Sequence, residues 1–88
     1  MENMNDITFT LEYVVNKLSE DTNVSFKLKN VQSPEYVAQG QIAEQDLLDM
    51  GFEYIGMSSY VKCPIYKYGK NIEAIFMESI LHIYDLNK

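Results

Sequence analysis

The period of the apolar positions changes several times along the chain, and each change predicts an element. The clearest run is 42–55. Ile42 precedes good helix formers, and Leu47 falls at the fourth helical position if Ala43 is the N-cap. That is the spacing of a hydrophobic staple, which sets the entry angle of a helix. Glu44 and Asp46 occupy the first turn, facing the positive end of the helix dipole. Ala43 brings no oxygen to cap a free N–H. Leu47, Leu48 and Met50 supply an apolar side, and Gly51 ends the helix because only glycine takes the left-handed C′ conformation without steric cost. Phe52, Tyr54 and Gly56 then alternate with Glu53 and Ile55 at the period of a strand. The pattern predicts a helix over 44–50 and a strand over 52–56.

Upstream, Ile7, Leu11, Val14, Val15 and Leu18 keep to one helical face, with Asn5 or Asp6 as cap and Met1 to Asn5 as a frayed, flexible start. A strand over 7–13 competes, because Thr8, Phe9 and Thr10 favour β structure. The helix is preferred because its face persists for eleven residues. Glu20 to Asn23 is a turn cluster. Val24 to Lys29 alternates without a break, placing Val24, Phe26 and Leu28 inward and Ser25, Lys27 and Lys29 outward. The segment 33–41 reads either as a short helical turn opened by Ser33-Pro34 or as an edge strand from Tyr36 to Gln41, and it is taken as loop.

After Gly56, Tyr60 to Cys63 reads as an edge strand or bulge broken by Pro64. Ile65 to Tyr68 is a strand leading to a hairpin turn at Gly69-Lys70-Asn71. For 72–86 a single helix competes with two strands, Ile72 to Met77 and Ile80 to Leu86, joined near Glu78-Ser79. Its β-branched and aromatic content favours the strands. The expected fold is a single α+β domain, two short helices packed on an antiparallel sheet of about four or five strands.

Composition narrows the function classes. The 88 residues suit one domain with one core. Thirteen acids against seven lysines give a net charge of −6, which repels nucleic-acid phosphates at long range. Arginine and tryptophan are absent, while Ile, Asn, Lys and Tyr are plentiful. Those four have AT-rich codons, so a low-GC genome or a mobile element within one is the expected source. Without arginine, bidentate capture of phosphate or carboxylate is lost. One cysteine cannot form an internal disulfide, and the start of the chain lacks the basic-then-apolar plan of a signal peptide. No apolar run is long enough to span a bilayer. A cytoplasmic setting is expected.

Candidate chemistry is sparse. His82 is the only histidine, with Asp85 its nearest acid in sequence and no motif around it, so it reads as structural. Cys63 precedes a proline and reads as a small apolar residue. One Cys and one His cannot build a zinc site of the usual kind. The acids 44, 46, 49 and 53 do not follow calcium-loop spacing. The glycines form no phosphate-cradling loop. No nucleophile or acid–base set can be assembled, so the chain is read as non-enzymatic, with no cofactor and no metal.

Two features remain as docking candidates. Glu44, Asp46, Asp49 and Glu53 could form an acidic surface for a basic protein partner. Tyr60, Tyr66 and Tyr68, interleaved with lysines, could form a contact edge or a homodimer surface. Aromatic–cation interleaving also suits single-stranded nucleic acid, but the net charge and the missing arginine weigh against it. The segment 42–55, with Tyr60-Val61-Lys62 after it, resembles a helix–Gly-Phe–strand module of small uncharacterised phage and mobile-element proteins. It departs from that module at Ala43, where the cap is usually Thr or Ser. The resemblance spans about a fifth of the chain and implies an accessory origin. It carries over no activity and no site residue. The expectation is an intracellular binding protein, an accessory or host-modulating factor that occludes a partner surface. The alternatives are an oligomeric binder of a small molecule or nucleotide signal, and a nucleic-acid module through Tyr60 to Lys70.

Overall fold

Thr10, rather than Asn5 or Asp6, begins the first helix. In the computed structural model, which describes residues 6–32, 34–60 and 62–87, α1 spans Leu11–Thr22. The Thr10 side chain accepts the Tyr13 N–H at 3.2 Å. Ile7 to Phe9 therefore lie outside the helix, for a reason the helical period does not contain. The Asn71 side chain accepts the Phe9 N–H at 3.0 Å and donates to the Phe9 carbonyl at 2.8 Å. The Ile7 carbonyl accepts the Lys70 N–H at 2.7 Å. Asn71 thus pairs with this segment as a strand would. It also donates to Asp85 at 2.9 Å, so one buried amide ties the entry to α1 to both ends of the last hairpin. The frayed start expected for Met1 to Asn5 lies outside the described residues.

Leu11, Val14, Val15 and Leu18 are the buried stripe of α1. The helix ends at Asn23, held in the left-handed region with its N–H on the Ser19 carbonyl. The second helix, α2, spans Glu44–Met50 as its sequence pattern predicts. Ile42 and Leu47 are both buried, completing the staple. Half of a capping box exists, because Asp46 accepts the Ala43 N–H at 3.0 Å while Ala43 has nothing to return. Gly51, at φ 117°, closes the helix with its N–H on the Leu47 and Leu48 carbonyls. Leu48, expected inward, is exposed.

The sheet has six strands rather than four or five: β1 Phe26–Asn30, β2 Glu35–Ala38, β3 Glu53–Met57, β4 Pro64–Tyr68, β5 Ile72–Met77 and β6 Ile80–Asp85. Their order is β1-β2-β6-β5-β4-β3, antiparallel throughout. The additional strand is β2, in the segment taken as loop. It is an interior strand held between β1 and β6. The competing strand from Tyr36 to Gln41 overlaps it, but four residues carry little periodicity and one of its two partners lies at the far end of the chain, so the local pattern does not decide between strand and loop. Pro64 does not break a ladder. It is the first residue of β4, a position that tolerates the missing N–H. Tyr60 to Cys63 form no strand among the described residues. The Ser58 N–H meets the Cys63 carbonyl at 2.9 Å and closes a loop, with Val61 outside the description.

The last hairpin forms as two strands. Glu78 and Ser79, at φ 53° and 68°, make the two-residue turn, both in the left-handed region that a type I′ hairpin demands. Gly69 turns β4 into β5 at φ 63°, and a Cβ there would collide with the Phe9 ring and lie 2.7 Å from the Ile7 carbonyl oxygen. Both helices pack on one side of the sheet. The core cluster joins the α1 stripe, Leu47, Met50 and Phe52 to Tyr66, Tyr68, Ile72, Ala74, Leu81 and Ile83.

Candidate interaction surfaces

The four acids do not form one surface. Glu44 is exposed and accepts the Tyr66 hydroxyl, Asp46 is engaged in capping α2, and Asp49 accepts the Gln45 side chain at 2.7 Å. Glu53 stands in register with Lys67, which alternates with the buried Tyr66 and Tyr68. Glu53 therefore points to the side of the sheet away from the helices. The tyrosines divide as well. Tyr60 is 95% exposed, but Tyr66 and Tyr68 are 1% and 4% exposed and belong to the core, so they form no contact edge. Tyr66 meets Tyr54 and Phe76 edge-on, with ring centroids 5.6 and 5.8 Å apart. Burial, then the bond to Glu44, pushes its phenol up to about 12. Tyr68 packs against Phe9 and Phe52, and burial raises it too.

What the structure brings together is a side of the sheet on which, among the described residues, no helix packs. Cross-strand partners share a face. Register runs from Lys27 through Val37, His82, Ile75 and Ile65 to Gly56, one residue on each strand. The next row along the strands is Glu35, Tyr84, Glu73, Lys67 and Glu53. On the other side of the first row, Met77 pairs with Ile80. Two rows are therefore largely apolar and one is polar. In the polar row the Tyr84 hydroxyl donates to Glu73 at 2.9 Å, and burial followed by this bond raises the Tyr84 phenol. His82 is 8% exposed. Its Nδ1 is buried without a hydrogen bond, 3.4 Å from Glu35, which also lies 3.7 Å from Lys29. Two open clefts, of about 410 and 580 Å³, share Ile80 and His82 on this side. The sequence reading missed Val37, Ile65, Ile75 and Ile80 as an apolar group on the helix-free side, where Ile80 is exposed, Val37 and Ile65 are half-buried and Ile75 is buried. The signal was present, since β5 and β6 are apolar at consecutive positions where a strand wet on one side alternates.

The second feature is the outer edge of β3. Among the described residues ten large apolar side chains are exposed, and five of them (Leu48, Tyr54, Ile55, Met57 and Tyr60) fall within 48–60. β3 ends the sheet on this side, and its register shifts between Tyr54 and Gly56. The opposite edge, β1, carries Lys27 and Lys29, residues that discourage strand addition. The β3 edge has no lysine.

A third site is an open cleft of about 620 Å³ between the start of α2 and the end of the β5–β6 hairpin, where Glu44 and Tyr66 lie beside Ile42 and Phe76. Among the described residues no three His, Cys, Asp or Glu side chains group as metal ligands would, and no helix is long and apolar enough to cross a membrane. Compared with protein-family models, curated proteins and solved structures, the chain matches none. The class defined here is an α+β domain with two helices on one side of a six-stranded antiparallel sheet.

Proposed function

We propose that the chain is a non-enzymatic binding protein that occludes a surface of another protein, and that it does so with the corner formed by α2, β3 and the turn after it. The observation that carries this reading is the concentration of exposed apolar side chains at 48–60, bordered by Asp49 and Glu53. Interface centres favour tyrosine and methionine, and acids at the border select a partner with basic residues around an apolar contact. The unpaired backbone of β3 can also accept an extended segment of that partner as a seventh strand. The resemblance of 42–55 to phage and mobile-element modules supports an accessory, host-modulating setting inside the cell.

The test uses the double variant Tyr60→Ala/Met57→Ser. Both side chains are exposed, so the fold is expected to survive, as far-ultraviolet circular dichroism will show. A basic protein captured from lysate of a low-GC host should be lost by this variant, and weakened by Asp49→Lys. Capture by the double variant at wild-type strength would overturn the reading. A small-molecule binder is the second reading, supported by the cleft at Tyr66. A metabolite retained by the pure protein and released by Phe76→Ala would favour it.

A further inference from the structure

We propose that the helix-free side of the sheet docks a second copy of this chain, sheet on sheet, about a two-fold axis parallel to the strands. Burial gives the first argument. Antiparallel sheets with one side in water alternate apolar and polar residues. β5 and β6 instead place Ile75, Met77, Ile80 and His82 on the helix-free side; Cys63 reaches the cleft beside Met77, Ile80 and His82, but among the described residues no helix covers them and Ile80 stays exposed.

Charge gives the second. The two helices carry six acids and one lysine. The helix-free side carries Lys27, Lys29 and Lys67 against Glu35, Glu53 and Glu73. Two copies of a chain with net charge −6 repel one another, and least through this neutral side. Sheets packed face to face lie about 10 Å apart. That spacing already exceeds the Debye length of about 8 Å at physiological salt, and the acidic helices sit farther out on both copies.

Strand order gives the third, and it selects the axis. A two-fold parallel to the strands reverses the order, so β1 lies over β3, β2 over β4 and β6 over β5 of the other copy. Glu35 then meets Lys67 of the second copy, Lys29 meets Glu53, and the Tyr84 hydroxyl meets Glu73. In the apolar rows Val37 meets Ile65, His82 meets Ile75, and Ile80 meets Met77. The side is complementary to itself in charge and in polarity, as a two-fold interface requires. An axis across the strands would instead stack the lysines of β1 on those of β1. Six strands of four to six residues give a flat footprint of roughly 500 Å². A specific interface covers about 800 Å² of accessible surface per partner. Side-chain relief brings the side near that value only if nearly all of it is used, so association depends on concentration. Tyr54 and Met57 register with Tyr66 and Pro64 on the helix side, so these two residues of the β3 corner lie outside this contact, while its border acid Glu53 enters it.

The test is light scattering across a concentration series, with thermal unfolding to verify each variant. The wild-type mass is expected to rise from 10.2 kDa towards twice that value. Lys67→Glu and Glu35→Lys should each weaken dimerisation by about tenfold or more, since each sets like charges face to face twice. The combined Lys67→Glu/Glu35→Lys chain should recover it. Ile80→Lys should give a folded monomer, and Leu48→Ser, exposed on α2, should leave the dimer unchanged. A wild type that stays monomeric throughout overturns the proposal. So does a dimer that Lys67→Glu and Ile80→Lys do not weaken, or a charge swap that fails to restore it. Partner capture is unaffected by these outcomes, so the two readings fail separately.

Discussion

Tyr36 and Val37 are neighbours in β2, yet they answer to opposite sides of the sheet. Tyr36 lies in register with Ile83, Ala74 and Tyr66, over which the two helices close. Val37 lies in register with His82, Ile75 and Ile65, over which no helix closes. Both rows are mostly apolar. The helix side accepts even its polar groups on strict terms: the Tyr66 hydroxyl has Glu44, and Asn71 has Phe9 and Asp85. On the other side the His82 Nδ1 is buried with no hydrogen bond. One side is finished by the chain itself. The other has the composition of an interior and, among the described residues, no helix over it.

The largest expected effect separates the two rows. Ile83 is fully buried beneath the helices, and Ile83→Ala should cost about 2–5 kcal/mol. A domain of this size has about 5–13 kcal/mol in total, so the variant should lose a large share of its stability. Ile75 is 7% exposed on the helix-free side. Ile75→Ala should cost the dilute monomer less, because Ile75 lies outside the core cluster that the helices close over Ile83. Urea unfolding of both variants at low protein concentration measures the contrast. Equal losses would mean that the helix-free side is packed as tightly as the core, and the comparison would fail.

A smaller effect follows from titration. The Tyr66 phenol is held at about 12 when folded and titrates near its ordinary value of 10 when unfolded. Between pH 10 and about 12 the unfolded chain has lost a proton that the folded chain keeps. Stability from this group is therefore complete below pH 10 and declines as pH rises through that window. Tyr68 and Tyr84 are raised as well and act in the same direction. Tyr66→Phe keeps the ring in the core and removes the titration, so its stability should fall less steeply across the window. An unchanged slope in a denaturant series would show that the hydroxyl is not sequestered with Glu44.

How much of this was legible depended on whether the deciding interaction was local. The α2 staple, its Gly51 stop and the strand after it rest on contacts within a few residues, and the chain spells them out. The same holds for β5 and β6, whose β-branched content outweighed a helical reading. What decides β2 is a partner more than forty residues away, and what delays α1 is the Asn71 side chain acting as a strand edge. Neither leaves a mark in the local period. Tyr66 and Tyr68 misled because an apolar–cation alternation fits an exposed hairpin and a half-covered interior strand equally well. Of the candidate site residues, Tyr60 and Asp49 lie in the proposed corner, Glu53 at its border, and the remaining acids serve the chain's own fold. The helix-free row went unseen because a period-two reading assigns one inward side to each strand, and β5 and β6 have two.

The smallest predicted effect bears on the hairpin that keeps those sides apart. A one-residue slip between β5 and β6 would exchange them, setting Ile83 where His82 now stands. The Glu78-Ser79 turn resists that slip, although neither residue is suited to it. Both hold positive φ, which costs an L-residue about 1–2 kcal/mol. Ser79→Gly removes that penalty and also adds freedom to the unfolded chain, worth about 0.4–1 kcal/mol in the opposite sense. The expected result is a net gain of up to about 1.6 kcal/mol, read as a higher urea midpoint with an unchanged slope. A lower midpoint would mean that Ser79 does not occupy the left-handed region. The register that assigns Ile83 to the core and Ile75 to the helix-free side would then have to be drawn again.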